Sequence, residues 1–242
     1  MKQDIPPSPA ATASEKRRLI LRGIAQAVAL LVIFSPFVFL PAGRLDWPMA
    51  WALLVTYVGG LSATNIWLAV RHTGLAQERA DIPGTAKRSD WLLVELANFL
   101  IIVVALPLAG LDKRFGWTAS LPPIVQLAAV LLFAACHALI FWAMSANEFF
   151  STLVRIQSDR GHSVASGGPY RFMRHPGYAA MTAQFLLVPV ALGSLWALLP
   201  AAAAAGVYIL RTALEDRILQ KELPGYADYA RRVRYRLIPG IW

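Results

Sequence analysis

The chain has 242 residues, of which 57% are hydrophobic and only 15% charged, yet its formal net charge is +9. So apolar a composition excludes a disordered chain, and so basic an apolar chain fits poorly with a soluble monomer. A single cysteine excludes a disulfide framework and any multi-cysteine zinc or iron–sulfur site.

In chain order, a Pro-, Ala- and Ser-rich lead over residues 1–18 predicts a disordered cytoplasmic tail. Four apolar segments follow, each near the roughly 20 residues that a membrane-spanning helix needs. They run Leu19–Leu40, Trp47–Val70, Trp91–Leu111 and Pro122–Met144. Each is hydrophobic on all sides rather than striped, unlike the helices of a soluble bundle. The lead is too long, and the first apolar run too extended, for a cleavable signal peptide. Trp47, Trp51, Trp91, Trp117 and Trp142 fall at or near span ends, as interfacial anchors do. A fifth apolar region, Tyr178–Leu210, is too long for one span and breaks at Ala191–Leu195. Two short helices in a hairpin, with Gly193 and Ser194 at the tip, account for it.

Six spans place every basic residue except Arg44, Lys113 and Arg114 on one side. The positive-inside rule makes that side cytoplasmic and puts both termini there. The bases are spread over four segments instead of forming one patch with surface aromatics, so nucleic acid is not the expected partner. The chain then divides into the tail 1–18, four spans over 19–146, and a functional region over 147–242.

Two cytoplasmic segments carry the chemistry. In Asn147–Tyr178, the run "STLVRIQ" alternates enough for an extended or short β segment, and "SGGPYR" marks a turn. Pro176 suits a helix's first turn, which places Arg174 and His175 at a positive helix end that attracts a carboxylate or phosphate. In Arg211–Trp242, the pair Glu215-Asp216 lies about one turn past span six. The hairpin brings it near Arg174 and His175, and a site with both signs of charge suits a zwitterion with a positive centre. The bland alternatives are that Arg174 is one more anchoring cation, and that the acids pair with Arg211, Arg217 or Lys221 on an exposed helix. Tyr226, Tyr229, Val233 and Leu237 at helical spacing predict an interfacial amphipathic helix. His137 and Cys136 inside span four, and Glu95 and Asn98 in span three, are open between a cavity lining and interhelical hydrogen bonds. The four histidines are not at metal-ligand spacing, and no nucleotide-binding or hydrolase motif occurs.

The run "GGPYRFMRHPGY", a helical hairpin, "ED" and "YADYARRVRYRLIPGIW", in that order, resemble the C-terminal half of the isoprenylcysteine carboxyl methyltransferase family, which is related to the phospholipid methyltransferases. The resemblance covers about Asn147–Trp242. It implies an all-α integral membrane enzyme in which the cytoplasmic loop and C-terminal helix form a pocket for S-adenosyl-L-methionine. A lipophilic small molecule would come from the bilayer, so membrane lipids are the expected surroundings. By position, Tyr170, Arg174, His175, Tyr178, Glu215 and Asp216 would bind the cofactor, with Arg174 and Glu215 also catalytic. Ala180 and Asp216 stand where the family often has Gly and Glu.

Alignment of donor and acceptor is the main task in methyl transfer from a sulfonium, and it needs no metal. A carboxylate acceptor would want a cation such as Arg171, Arg174 or Arg211. An amine acceptor would want a base such as Glu215 or His175. An NADPH-dependent reductase of the sterol-reductase type, and a non-enzymatic scaffold or transporter, are the alternatives.

Overall fold

The computed structural model describes residues 13–71, 88–151, 156, 157 and 161–242. Residues 1–12 of the expected tail 1–18 lie outside them, as do His72, Arg79, Lys87, Arg155 and Arg160, whereas 13–18 are helical instead of disordered. The chain forms α1 (Ala13–Ala42), α2 (Pro48–Arg71) and α3 (Arg88–Asn98). A π-helical stretch (Phe99–Ala105) then runs straight into α4 (Leu106–Phe115). After α5 (Pro123–Ser145) comes a 3-10 turn (Gly168–Arg171), followed by α6 (Pro176–Leu192), α7 (Leu198–Glu222) and α8 (Tyr226–Arg232). No strand occurs among the described residues, so the β segment expected near "STLVRIQ" is not seen in the part described; 152–155 lie outside it.

Five helices are long and apolar enough to cross a membrane, counting α3–π–α4 as one: Ile20–Ala42, Pro48–Trp67, Asp90–Phe115, Pro123–Ser145 and Leu198–Glu222. The architecture is that of an all-α, multi-pass membrane protein. Helix α6 is the shorter sixth, with 17 residues. At 1.5 Å per residue it is about 26 Å long, slightly less than a hydrocarbon core of about 30 Å. The hairpin is therefore asymmetric: α6 is short, but α7 runs 25 residues and carries Glu215 and Asp216 within it rather than beyond its end. Gly193 caps α6 in a left-handed conformation (φ 72°), which turns the chain at the expected tip.

The helices close on small residues. Ala97, Ala105, Ala109, Ala129, Ala191 and Ala204 are all buried in the central cluster, and small side chains let helices approach closely without a hydrophobic drive from water. Helix α1 packs on α2 and α4, α2 on α5, α5 on α6, and α7 on both α6 and α3. At Gly110 a Cβ would come within 2.6 Å of the Val38 carbonyl oxygen, so the α1–α4 crossing requires glycine. The outward faces stay apolar: Leu40, Ile124 and Leu199 are exposed where lipid would cover them.

The π-helical stretch has a local cause. Pro107 has no N–H to return to Val103, and the Leu106 N–H instead reaches Ile101, five residues back. At the hairpin-tip end of the bundle, Asp112 accepts bonds from the Thr118 N–H (2.7 Å), the Thr118 hydroxyl and the Ser194 hydroxyl (both 2.5 Å). That buried carboxylate ties the hairpin tip to the end of the third span. Trp51, Trp91, Trp117 and Trp142 are exposed at span ends as expected, but Trp47 is buried in the core.

Candidate functional site

The loop before α6, the base of the α6–α7 hairpin and the C-terminal segment meet at one place. Pro176 opens α6 at its first position, where a missing N–H costs nothing, and His175 is the residue before it. The backbone on either side is clamped by the tail: the Arg174 N–H donates to Tyr235 O and the His175 N–H to Arg236 O, both at 2.9 Å. Upstream, Gly168 adopts φ +54°, and a Cβ there would lie 2.9 Å from Ala146 and 3.0 Å from the Trp142 indole. Glycine at 168 thus lets the turn sit directly on the end of α5.

Asp216 is the hub of the junction and is fully buried. Arg174 donates to it twice, Nε to Oδ1 at 2.8 Å and Nη2 to Oδ2 at 3.0 Å. Arg236 Nε (2.9 Å), Gln220 Nε2 (2.8 Å) and the Tyr226 hydroxyl (3.0 Å) also donate to it, and His175 Nε2 lies 3.3 Å away. Arg174 Nη1 meanwhile donates to the carbonyls of Ala230, Val233 and Arg234. A guanidinium has five N–H donors, so at most one of Arg174's remains for anything else. Two arginines and one carboxylate therefore bolt the loop, α7 and the tail together.

Glu215, the next residue, behaves differently. It points to a cavity and accepts a 2.5 Å bond from the Tyr178 hydroxyl. The Tyr178 ring lies nearly parallel to His175, with centroids 5.8 Å apart and an interplanar angle of 8°. The space between these groups and the loop amounts to about 760 Å³ with its open mouth included. Its walls include Phe149, Phe150, Tyr170, His175, Tyr178 and Glu215, with Tyr226 and Tyr229 at the tail side. The Tyr229 hydroxyl donates to Tyr170 O (2.8 Å), and Asn147 Nδ2 donates to the Tyr170 hydroxyl (3.2 Å). Burial pushes the hydroxyls of Tyr170, Tyr226 and Tyr229 well above the ordinary tyrosine range, with the Asp216 carboxylate adding to the effect at Tyr226. All three stay neutral at physiological pH.

Of the residues expected from sequence, Tyr170, Arg174, His175, Tyr178 and Glu215 all line this one cavity, and Asp216 sits behind its wall. The expectation of an interfacial amphipathic helix is corrected. Helix α8 is only seven residues long and ends at Arg232. Tyr226, Tyr229 and Leu237 are buried against the protein instead of lipid, because the tail turns back to bind the loop before α6. Arg171 is exposed. Arg211 is buried, with its Nε and Nη2 on Asp90 at 2.6 and 3.0 Å.

His137 makes the interhelical hydrogen bond weighed for it, 2.5 Å from Gln184 Nε2. Asn98 lines a second, apolar cavity between the spans, together with Tyr57, Gln184 and Phe185. Glu95 is exposed. Sequence reasoning missed Phe149, Phe150 and His162 as wall residues; the aromatic density of "NEFF" was the available signal. His162 stacks on Phe149 at 4.6 Å, and its Nδ1 accepts from the Gln157 N–H. Among the described residues no group of acidic, histidine or cysteine side chains could hold a metal ion.

Residues 124–224 match the model of the phospholipid methyltransferase family. The matched segment starts within α5, earlier than the resemblance read from the loop motifs, and stops just before α8 and the C-terminal tail. It contains the α5–α6–α7 framework, the loop and both acids, and it points to a membrane-associated methyltransferase. No curated protein matches the chain.

Proposed function

We propose that this protein is a membrane-embedded, S-adenosylmethionine-dependent methyltransferase acting on a lipophilic small molecule. The observation that carries the reading is the cavity at the base of the hairpin, in which one carboxylate, several aromatic faces and a helix N-terminus converge inside the family-matched segment.

The side chains fit such a cofactor by chemical type. The N–H groups in the first turn of α6 have no intrahelical acceptor, and the positive end of the helix, beside His175, attracts a carboxylate. The rings of Phe150, Tyr170 and Tyr178 offer faces to a flat base and to a cationic sulfur. Glu215 supplies a negative charge for a positive centre. When bound, S-adenosylmethionine brings an activated methyl group with a neutral leaving group. The protein's own contribution is then to align, to exclude water and to keep the cavity walls fixed. Arg174 acts chiefly as a positioning residue, since its donors are almost all used in holding Asp216 and the tail.

In this reading the basic face of the bundle is the cytoplasmic one, with both termini on that side. The acceptor would approach from the bilayer side, with substrate choice residing mainly in the spans that precede the matched segment. An isoprenylcysteine-like carboxylate is one acceptor that fits, and a lipid amine is another.

Calorimetry on the purified protein in detergent, with S-adenosylmethionine and NADPH side by side, tests the cofactor. Binding of the first is expected, and binding of NADPH alone would overturn the reading. Labelled-methyl transfer into a total membrane lipid extract would then identify the acceptor.

A further inference from the structure

Arg211 and Glu215 lie four residues apart on α7, the spacing at which opposite charges on a helix ordinarily pair. Here they do not. Among the described residues no ion pair joins them. Arg211 makes a two-point bond to Asp90 of α3, 121 residues earlier in the chain, and Glu215 accepts from Tyr178. Asp90 and Arg211 are both buried, so this pairing is screened little by water. The Arg211 guanidinium also lies 4.8 Å from the centroid of the Tyr178 ring and 5.5 Å from that of Tyr208. Its charge is therefore directly behind the wall whose front carries the Tyr178–Glu215 bond.

We propose that Asp90 is a positioning residue for the cavity: by holding Arg211, it keeps that cation off Glu215 and leaves the Glu215 carboxylate available to a positively charged ligand group. Asp90 lies outside the segment that matches the family, in the third span. The first half of the chain would thus set the charge state of a site built by the second half. Loss of the Asp90 charge removes the two-point hold on Arg211 and lets the guanidinium turn toward its helix neighbour Glu215. The cavity then loses the acidic wall group Glu215 to an internal ion pair, although no lining residue has changed. Tyr178 would lose its acceptor by the same movement.

The inference rests on the proposed function for the identity of the ligand, but not for the charge competition, and two measurements keep these apart. The first is modification of Glu215 by a water-soluble carbodiimide, quantified by peptide mass spectrometry, which needs no ligand. Wild type and Asp90→Glu should be modified alike, Asp90→Asn should be protected, and Asp90→Asn/Arg211→Gln should be modified again. The second is calorimetric affinity for S-adenosylmethionine, expected to fall about tenfold or more in Asp90→Asn and to return in the double variant. A purely structural role for the ion pair predicts more modification of Glu215 in Asp90→Asn, not protection, because an unpaired buried Arg211 loosens the fold around it. Modification of Asp90→Asn at the wild-type rate would overturn the proposal. So would a double variant that stays protected, and that second outcome can be read even if Asp90→Asn alone does not fold. Failure of wild type to bind S-adenosylmethionine, with the modification pattern intact, would instead count against the proposed cofactor.

Discussion

Asp216 grips Arg174 at two points, 2.8 and 3.0 Å, across 42 residues of sequence, and neither side chain is appreciably exposed. The pair joins the loop before α6 to the second helix of the hairpin, and Arg236 brings the tail onto the same carboxylate.

Asp216→Asn should therefore be among the most damaging single changes. It would leave two arginines facing a neutral amide, and breaking a buried ion pair from one side costs about 3–5 kcal/mol. The expected result is release of the C-terminal segment, seen as rapid proteolysis after α7 and a large fall in melting temperature in detergent. Asp216→Glu should also lose stability, because the carboxylate is already surrounded by donors at bonding distance.

Gly177→Ala should separate ligand binding from stability. A Cβ there would sit 2.9 Å from two ring atoms of Phe150, and that ring forms part of the cavity wall. The ring can swing aside, so the fold should persist while the cavity is reshaped. Weaker S-adenosylmethionine affinity with a nearly unchanged melting temperature is expected. Unchanged affinity would mean that the ligand does not use this wall.

Neighbouring glycines in α2 should respond in opposite ways. A Cβ on Gly60 would lie 2.4 Å from the His137 ring, whereas one on Gly59 would meet nothing within 4 Å. Gly60→Ala should cost about 1–3 kcal/mol through overpacking and disturb the His137–Gln184 bond. Gly59→Ala should be neutral or stabilising by up to about 1 kcal/mol, since alanine favours helix over glycine. Parallel thermal melts of the two variants check both.

The buried tyrosines predict how stability depends on alkaline pH. Tyr170, Tyr226 and Tyr229 lose their protons less readily when folded than when unfolded, where the ordinary value is about 10. The folded state therefore holds more protons above that pH. Their contribution should be intact below about pH 10 and lost progressively as pH rises through it. Melting temperatures from pH 7 to 11 should show a plateau and then a decline, and Tyr229→Phe should make the decline shallower.

Much of this molecule was legible in its sequence for one physical reason: in a membrane, local composition carries global information. A run of apolar residues long enough to cross is a span wherever it occurs, so the spans and the hairpin tip at Gly193 followed from length, hydropathy and charge. The loop motif was legible too, because Gly168 and Pro176 have local backbone requirements. What stayed hidden depended on contacts between distant segments. Glu215 and Asp216 are adjacent and chemically alike, yet one faces the cavity and the other is sealed behind it; only the helix's rotation against the loop and tail decides which. Tyr226, Tyr229 and Leu237 read as a lipid-facing stripe, because helical spacing says that a face is buried but not against what. The pairing of Arg211 with Asp90, in preference to its neighbour on the same helix, required the third span to pack on α7. The +9 charge is a property of the sequence; which few of those charges line the cavity was left to the tertiary fold.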